Sequence, residues 1–135
     1  MDYSAAAFAP NVFPVLSYQD APAAIEWLVA TLGFEAVAIY HGNNGVIDQA
    51  ELRLGPGWIM LSSTHDRAPG IAGSQGVAIY VDDVDVHYAH ACAAGADVVI
   101  ELRDTHYGAR DYMVRDPEGH CWSVGNYRPG RVIPT

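Results

Sequence analysis

The chain has 135 residues, 50% of them apolar and 17% charged, with a formal net charge of -9. That length buries a real core without covalent staples, and the composition is that of a globular chain, not a disordered one. The negative balance excludes a nucleic-acid binder, which needs a basic stripe to meet phosphates. All 7 basic residues are arginines, which excludes lysine Schiff-base chemistry and a Walker-type phosphate loop. No apolar run approaches the roughly 20 residues that span a bilayer. The segment MDYSAAAFAP lacks the basic start and apolar core of a secretion signal, and Cys92 and Cys121 do not make a disulfide framework. These features point to a cytoplasmic protein that does not bind a membrane.

Val15–Asp20 (VLSYQD) reads as a short buried strand ending at a helix cap, because an aspartate accepts hydrogen bonds from the free N–H groups of a first helical turn. Pro22 suits that turn. A helix over 21–32 follows, with Ala24, Trp27, Leu28 and Leu32 on one stripe. It stops at Gly33, the residue that most easily takes a left-handed cap. A strand over 34–41 comes next, then two more strands broken by HGNNG and LGPG. The pattern then repeats 63 residues on. Ala78–Asp83 (AIYVDD) matches the first strand and cap. A helix over 84–94 carries Val84, Tyr88, Ala91 and Cys92 and stops at Gly95. A strand over 97–103 and two more follow, broken by HYG and DPEG.

The chain is therefore expected to be α+β, with two tandem βαβββ modules forming a curved mixed sheet around a cavity and the helices on the outer face. Residues 1–135 make a single domain: module one at about 11–63, a linker at about 64–74, module two at about 75–128, and a C-terminal tail at 129–135. Alternation along strands assigns Leu16, Val77, Ile79, Val81, Val98, Ile100, Leu102, Val114, Trp122 and Val124 to the helix side. Phe13, Val15, Ser17, Gln49, Glu51, Arg53, Tyr80, Glu101, Arg103, Met113, Cys121 and Ser123 go to the cavity side. The parity of 34–41 and 46–54 stays open.

The paired modules, with PVLSYQDAPAAIEWL near the start and YGARDYMVRDPEGHCWSVGNY at Tyr107–Tyr127, resemble the vicinal oxygen chelate superfamily. That group includes glyoxalase I, bleomycin-resistance proteins and extradiol dioxygenases, and the resemblance covers about residues 11–128. Its metalloenzymes place ligands on the first and last strand of each module, where His, Gln or Glu converge on a divalent ion. Counting back from Asp20 and Asp83 puts the first-strand positions at Phe13 and Gly76. Counting from Gly57 and Gly119 puts the last-strand positions at Leu61 and Ser123. None is a normal ligand, and a slip of one to Met60 or Trp122 does not help. The resemblance is thus closest to metal-free, bleomycin-resistance-like members, with no metal and no cofactor.

Asp116, His120 and Cys121 gather chemistry-bearing types in RDPEGHCWSVGNY, yet Asp-Pro-Glu-Gly has the chemistry of a tight turn leading into a strand. His120 and Trp122 point to the helix side. Cys121 faces the cavity with no obvious basic neighbour to make it a nucleophile. His87 and His90 share a helix face that is expected to be solvated. Arg53 and Arg103 lie two residues from Glu51 and Glu101 and are expected to neutralise them. The aromatic residues Trp58, Tyr80, Tyr107 and Tyr112 lie on or beside the cavity strands, suited to stacking on a planar or cationic molecule. The ligand-binding set is therefore Phe13, His41, Glu51, Trp58, Leu61, Tyr80, Glu101, Arg103, Tyr107, Met113 and Cys121, with no catalytic residue.

The resulting expectation is a metal-free binder of a small aromatic or cationic molecule, sequestering an antibiotic or toxic metabolite, and working as a homodimer. Two rivals remain. One is a divergent glyoxalase-like lyase or isomerase using Glu51, Glu101 or His41. The other is a metabolite-binding accessory protein.

Overall fold

The computed structural model describes residues 13–64 and 76–127. The chain divides into two compact units, Met1–Ala68 and Pro69–Thr135. Most of the expected linker and all of the expected C-terminal tail lie outside the described residues.

Unit one runs β1 (Val15–Tyr18), α1 (Ala21–Trp27), β2 (Glu35–His41), β3 (Ile47–Leu54) and β4 (Gly57–Ser63). Its sheet has the order β1-β4-β3-β2, with β1 parallel to β4 and the other pairs antiparallel. Unit two repeats this as β5 (Gly76–Tyr80), α2 (Val84–Ala93), β6 (Asp97–Asp104), β7 (Arg110–Arg115) and β8 (Cys121–Gly125), in the order β5-β8-β7-β6. Here β5 is parallel to β8 and the rest is antiparallel. The α+β class and the tandem βαβββ order are as the sequence implies.

The caps work as expected. Asp20 accepts from the N–H of Ala23 and Asp83 from that of Val86, each at 3.1 Å, satisfying donors that a helix start leaves orphaned. Gly33 (φ 86°) and Gly95 (φ 84°) take the left-handed conformation that stops each helix. One feature differs from expectation. The segment Leu28–Leu32 continues α1 as a π-helical turn, so the single regular helix expected over 21–32 widens in its last turn. The wider turn keeps Leu28, Thr31 and Leu32 buried together.

α1 packs against β1 and β4, and α2 against β6 and β7. The core of unit one is Tyr18, Ala21, Ala24, Ile25, Leu28, Leu32, Ile47, Ala50, Leu52, Ile59 and Leu61. That of unit two is Ile79, Val84, Ala91, Tyr112, Val114, Trp122 and Val124. Burial of this apolar surface is the main stabilising term, at about 25 cal/mol per Å². The stripes are only partly as expected: Trp27 and Tyr88 are half-buried and Cys92 is exposed.

Candidate functional site

Each sheet has one face on its helix and one face turned away from it, and the second carries the chemistry. In unit one, Glu51 and Arg53 of β3 lie directly across from Met60 and Trp58 of β4, and Val15 of β1 lies beside Met60. Glu35 of β2 lies across from Arg53. The Arg53 Nη2 donates to Glu35 Oε1 at 2.7 Å, and its guanidinium carbon lies 5.6 Å from the centre of the Trp58 ring. The Gln49 amide faces the Met60 sulfur at 4.0 Å.

The open parity of 34–41 and 46–54 is decided by two β-bulges, between Ala36 and Ala38 and between Tyr40 and His41. A bulge adds a residue to one strand and flips the sides of those beyond it. Tyr40 consequently lies opposite Gln49, on the face away from the helix, while His41 lies opposite the buried Ile47. His41 therefore does not join Trp58 and Glu51. Phe13 stands just ahead of β1 and is 41% exposed.

Leu61 requires a correction. It is fully buried in the core, paired with Leu16 and Ala50. The last-strand position on the outward face is Met60. Val15 pairs with Met60 as Ala78 pairs with Ser123, so Met60 and Ser123 are the equivalent pair. The turn glycines mislead because the β3–β4 connection is two residues, Gly55 and Pro56, while the β7–β8 connection spans Asp116 to His120.

In unit two, Met113 lies across from Ser123, Arg115 from Cys121, and Arg103 from Asp111. Tyr80 and Glu101 are exposed on this sheet, and the Tyr80 hydroxyl donates to Asp82 at 2.8 Å. Arg103 Nε donates to Asp111 Oδ1 at 2.9 Å, and that carboxylate raises the guanidinium pKa above its ordinary value. The arginines are ion-paired as expected, but with other partners. Arg53 takes Glu35 and Arg103 takes Asp111, cross-strand neighbours in both cases. Cys121 also has a basic neighbour that spacing did not suggest, since the β7–β8 turn places Arg115 directly across the ladder.

Tyr107 lies in the β6–β7 loop, edge-on to His106 at 5.1 Å and to Tyr127 at 5.8 Å. Tyr112 is a second correction. It is fully buried on the helix side, edge-on to Tyr88 at 5.0 Å. Burial pushes its phenol pKa well above the ordinary tyrosine value. The phenol thus stays protonated, and its hydroxyl shares a hydrogen bond with Nδ1 of His87 at 2.5 Å. His87 is accordingly half-buried, not solvated.

The DPEG stretch is a turn into a strand. Asp116 is 4% exposed. Its Oδ1 accepts from the N–H groups of Glu118 and His120, and its Oδ2 from the Trp122 indole, all at 3.0 Å. The carboxylate organises the turn and anchors Trp122, and His120 is buried behind it.

A divalent metal in the manner of the resembling metalloenzymes needs imidazole, carboxylate or amide donors on the first and last strands. Those positions carry Phe13, Met60, Gly76 and Ser123, a set that does not fit such an ion. Among the described residues, no group of three or more His, Cys, Asp and Glu side chains is placed to hold one.

Residues 12–124 match the Glyoxalase/Bleomycin resistance protein/Dioxygenase superfamily, and the chain belongs to that superfamily, whose members bind small molecules. The crystal structure of TioX from Micromonospora sp. ML1 is similar, at 34% identity and a TM-score of 0.71, covering 91% of this chain and all 100% of that one. Uncharacterized protein Rv0887c of Mycobacterium tuberculosis is 33% identical over 125 residues, covering 86% of this chain and 74% of that protein. The fosfomycin resistance protein FosX of Mesorhizobium loti shares the fold, with a TM-score of 0.64 at 14% identity over 89% of this chain and 93% of that one. Among the described residues, no helix is long and apolar enough to cross a membrane.

Proposed function

We propose that the protein is a metal-free binder of a small aromatic or cationic molecule that sequesters an antibiotic or toxic metabolite, in the manner of bleomycin-resistance proteins. The observation that carries this reading is the pair Met60 and Ser123. They stand at equivalent last-strand positions on the outward faces, where a metalloenzyme of the superfamily would need a donor. Around Met60 the face offers an indole, a phenol ring and carboxylates, the mixed lining of a ligand site. FosX, named for antibiotic resistance, shares the fold. The exposed apolar side chains Phe13, Val15 and Tyr40 support a homodimer, since such surface in an isolated chain is a contact site. The working compartment is the cytoplasm.

The test is elemental analysis of protein purified without chelator, with native mass spectrometry for bound small molecules. The expected result is well under one transition metal per chain and a retained organic ligand. About one metal per chain, lost when Met60 or Ser123 is changed, would overturn the reading. Turnover of the retained molecule would replace it with the lyase or isomerase.

A further inference from the structure

Trp58 is the aromatic side chain best placed to hold a ligand's flat or charged part, yet its ring already has an occupant. Arg53 lies directly across the ladder, with its guanidinium carbon 5.6 Å from the ring centre. A guanidinium there satisfies the negative face of the indole as a ligand's cation would. What holds it in place is light: one ion pair to Glu35, whose side chain is 61% exposed, while that of Arg53 is 43% exposed. Exposed pairs of this kind contribute little, because water screens them and both side chains lose freedom. Glu51 stands two residues away on the same face, half-buried, with no ion-pair partner among the described residues.

Resting on the binding reading above, we propose that Arg53 is a resident cation covering the Trp58 ring, and that the ligand it gives way to is itself an organic cation, an alkyl- or arylammonium. When Arg53 swings towards solvent, the ring face is bared and Glu51 supplies the negative charge beside it. No buried contact breaks, so the exchange is fast and reversible. The ligand's apparent affinity is lowered by the fraction of molecules in which Arg53 lies over the ring. A planar anion would behave oppositely. It would stack on the outward side of the guanidinium and depend on Arg53 for its binding.

The second module supplies an internal control. Arg115 pairs with Asp97 at 3.7 Å, as Arg53 pairs with Glu35, but the side chain across from it is Cys121. With no ring beneath, removing Arg115 bares nothing.

The experiment uses the full chain carrying Trp27→Phe, which leaves Trp58 to report, since Trp122 is fully buried. Benzyltrimethylammonium, benzyl alcohol and benzoate are titrated against this protein and against its Arg53→Gln, Arg115→Gln and Glu51→Gln variants, each confirmed as folded by near-ultraviolet circular dichroism. Arg53→Gln should tighten benzyltrimethylammonium binding about three- to tenfold, and by more than it changes benzyl alcohol. Arg115→Gln should leave it unchanged, and Glu51→Gln should weaken it. Without any ligand, Arg53→Gln should make Trp58 more accessible to acrylamide, a neutral quencher. Unchanged or weaker ammonium binding in Arg53→Gln, or a preference for benzoate, would overturn the proposal, as would unchanged acrylamide quenching. The metal-free binding reading is judged separately, by metal content and the retained ligand.

Discussion

The two modules place the same ion pair on the same strands and then diverge in what lies beneath it. In module one Arg53, paired with Glu35, lies over the Trp58 ring; in module two Arg115, paired with Asp97, lies across from Cys121. On the helix side the contrast is reversed. Module two buries Tyr112 against His87, whereas the matching positions of module one are Ala50 and Ala24, both buried. At these matched positions module one keeps an indole outside and small apolar groups inside. The other puts a phenol–imidazole pair inside and a thiol outside. A repeat thus conserves the framework of capped helices and laddered strands, while each copy spends its variable positions differently.

The largest effect expected from breaking this comparison is at Asp116, which has no counterpart in the two-residue turn of module one. Asp116→Ala leaves two backbone N–H groups and the Trp122 indole N–H without their acceptor. A loss of about 3 kcal/mol is expected, since each stranded buried donor costs of order 1 kcal/mol or more. Urea unfolding followed by tryptophan fluorescence measures it, and a loss under about 1 kcal/mol would show that the turn holds without the carboxylate.

Gly125 comes next. A Cβ there would lie 2.8 Å from Asp111 Cβ and 2.9 Å from the Arg110 carbonyl oxygen, whereas Ser62 occupies the matching position of module one. Gly125→Ala should cost about 1–3 kcal/mol, because backbone must shift to admit the methyl group. A wild-type unfolding midpoint would mean that β7 and β8 separate easily.

Tyr112→Phe tests the buried pair, with an expected cost of about 1 kcal/mol for the hydrogen bond at neutral pH. The pH dependence is more diagnostic. Burial raises the Tyr112 pKa in the folded state, so this group's stabilising contribution is intact below the unfolded tyrosine pKa of about 10 and declines as pH rises above it. The phenylalanine variant should therefore lose less stability between about pH 10 and 11.5 than the wild type does. Parallel curves would remove Tyr112 as the cause.

The smallest effect is at Glu35. Glu35→Gln should change stability by about 0–1 kcal/mol, as exposed ion pairs do. It should nonetheless alter Trp58 emission by loosening the guanidinium over the ring. An unaltered spectrum would show that Trp58 positions Arg53 without help from Glu35.

The sequence by itself determined the repeat, both caps, both glycine stops, the βαβββ succession of each module and the turn at Asp116. Each depends on local chemistry: a carboxylate reaching N–H groups three residues on, a glycine at positive φ, alternation of period two. It also assigned Met113 and Cys121 to the face away from the helix, because β7 and β8 are regular enough for parity to hold. Register was decided only in the tertiary structure. Two bulges turned Tyr40 outward and His41 away, and unequal turn lengths moved the last-strand position from Leu61 to Met60. Cross-strand pairing chose Glu35 for Arg53, Asp111 for Arg103 and Arg115 as the neighbour of Cys121. Helix packing drew Tyr112 and His87 inward. A slip of one residue exchanges the two faces of a strand, and what fixes it is the fit of each strand to its neighbours, a property of the assembled sheet and not of any stretch of chain.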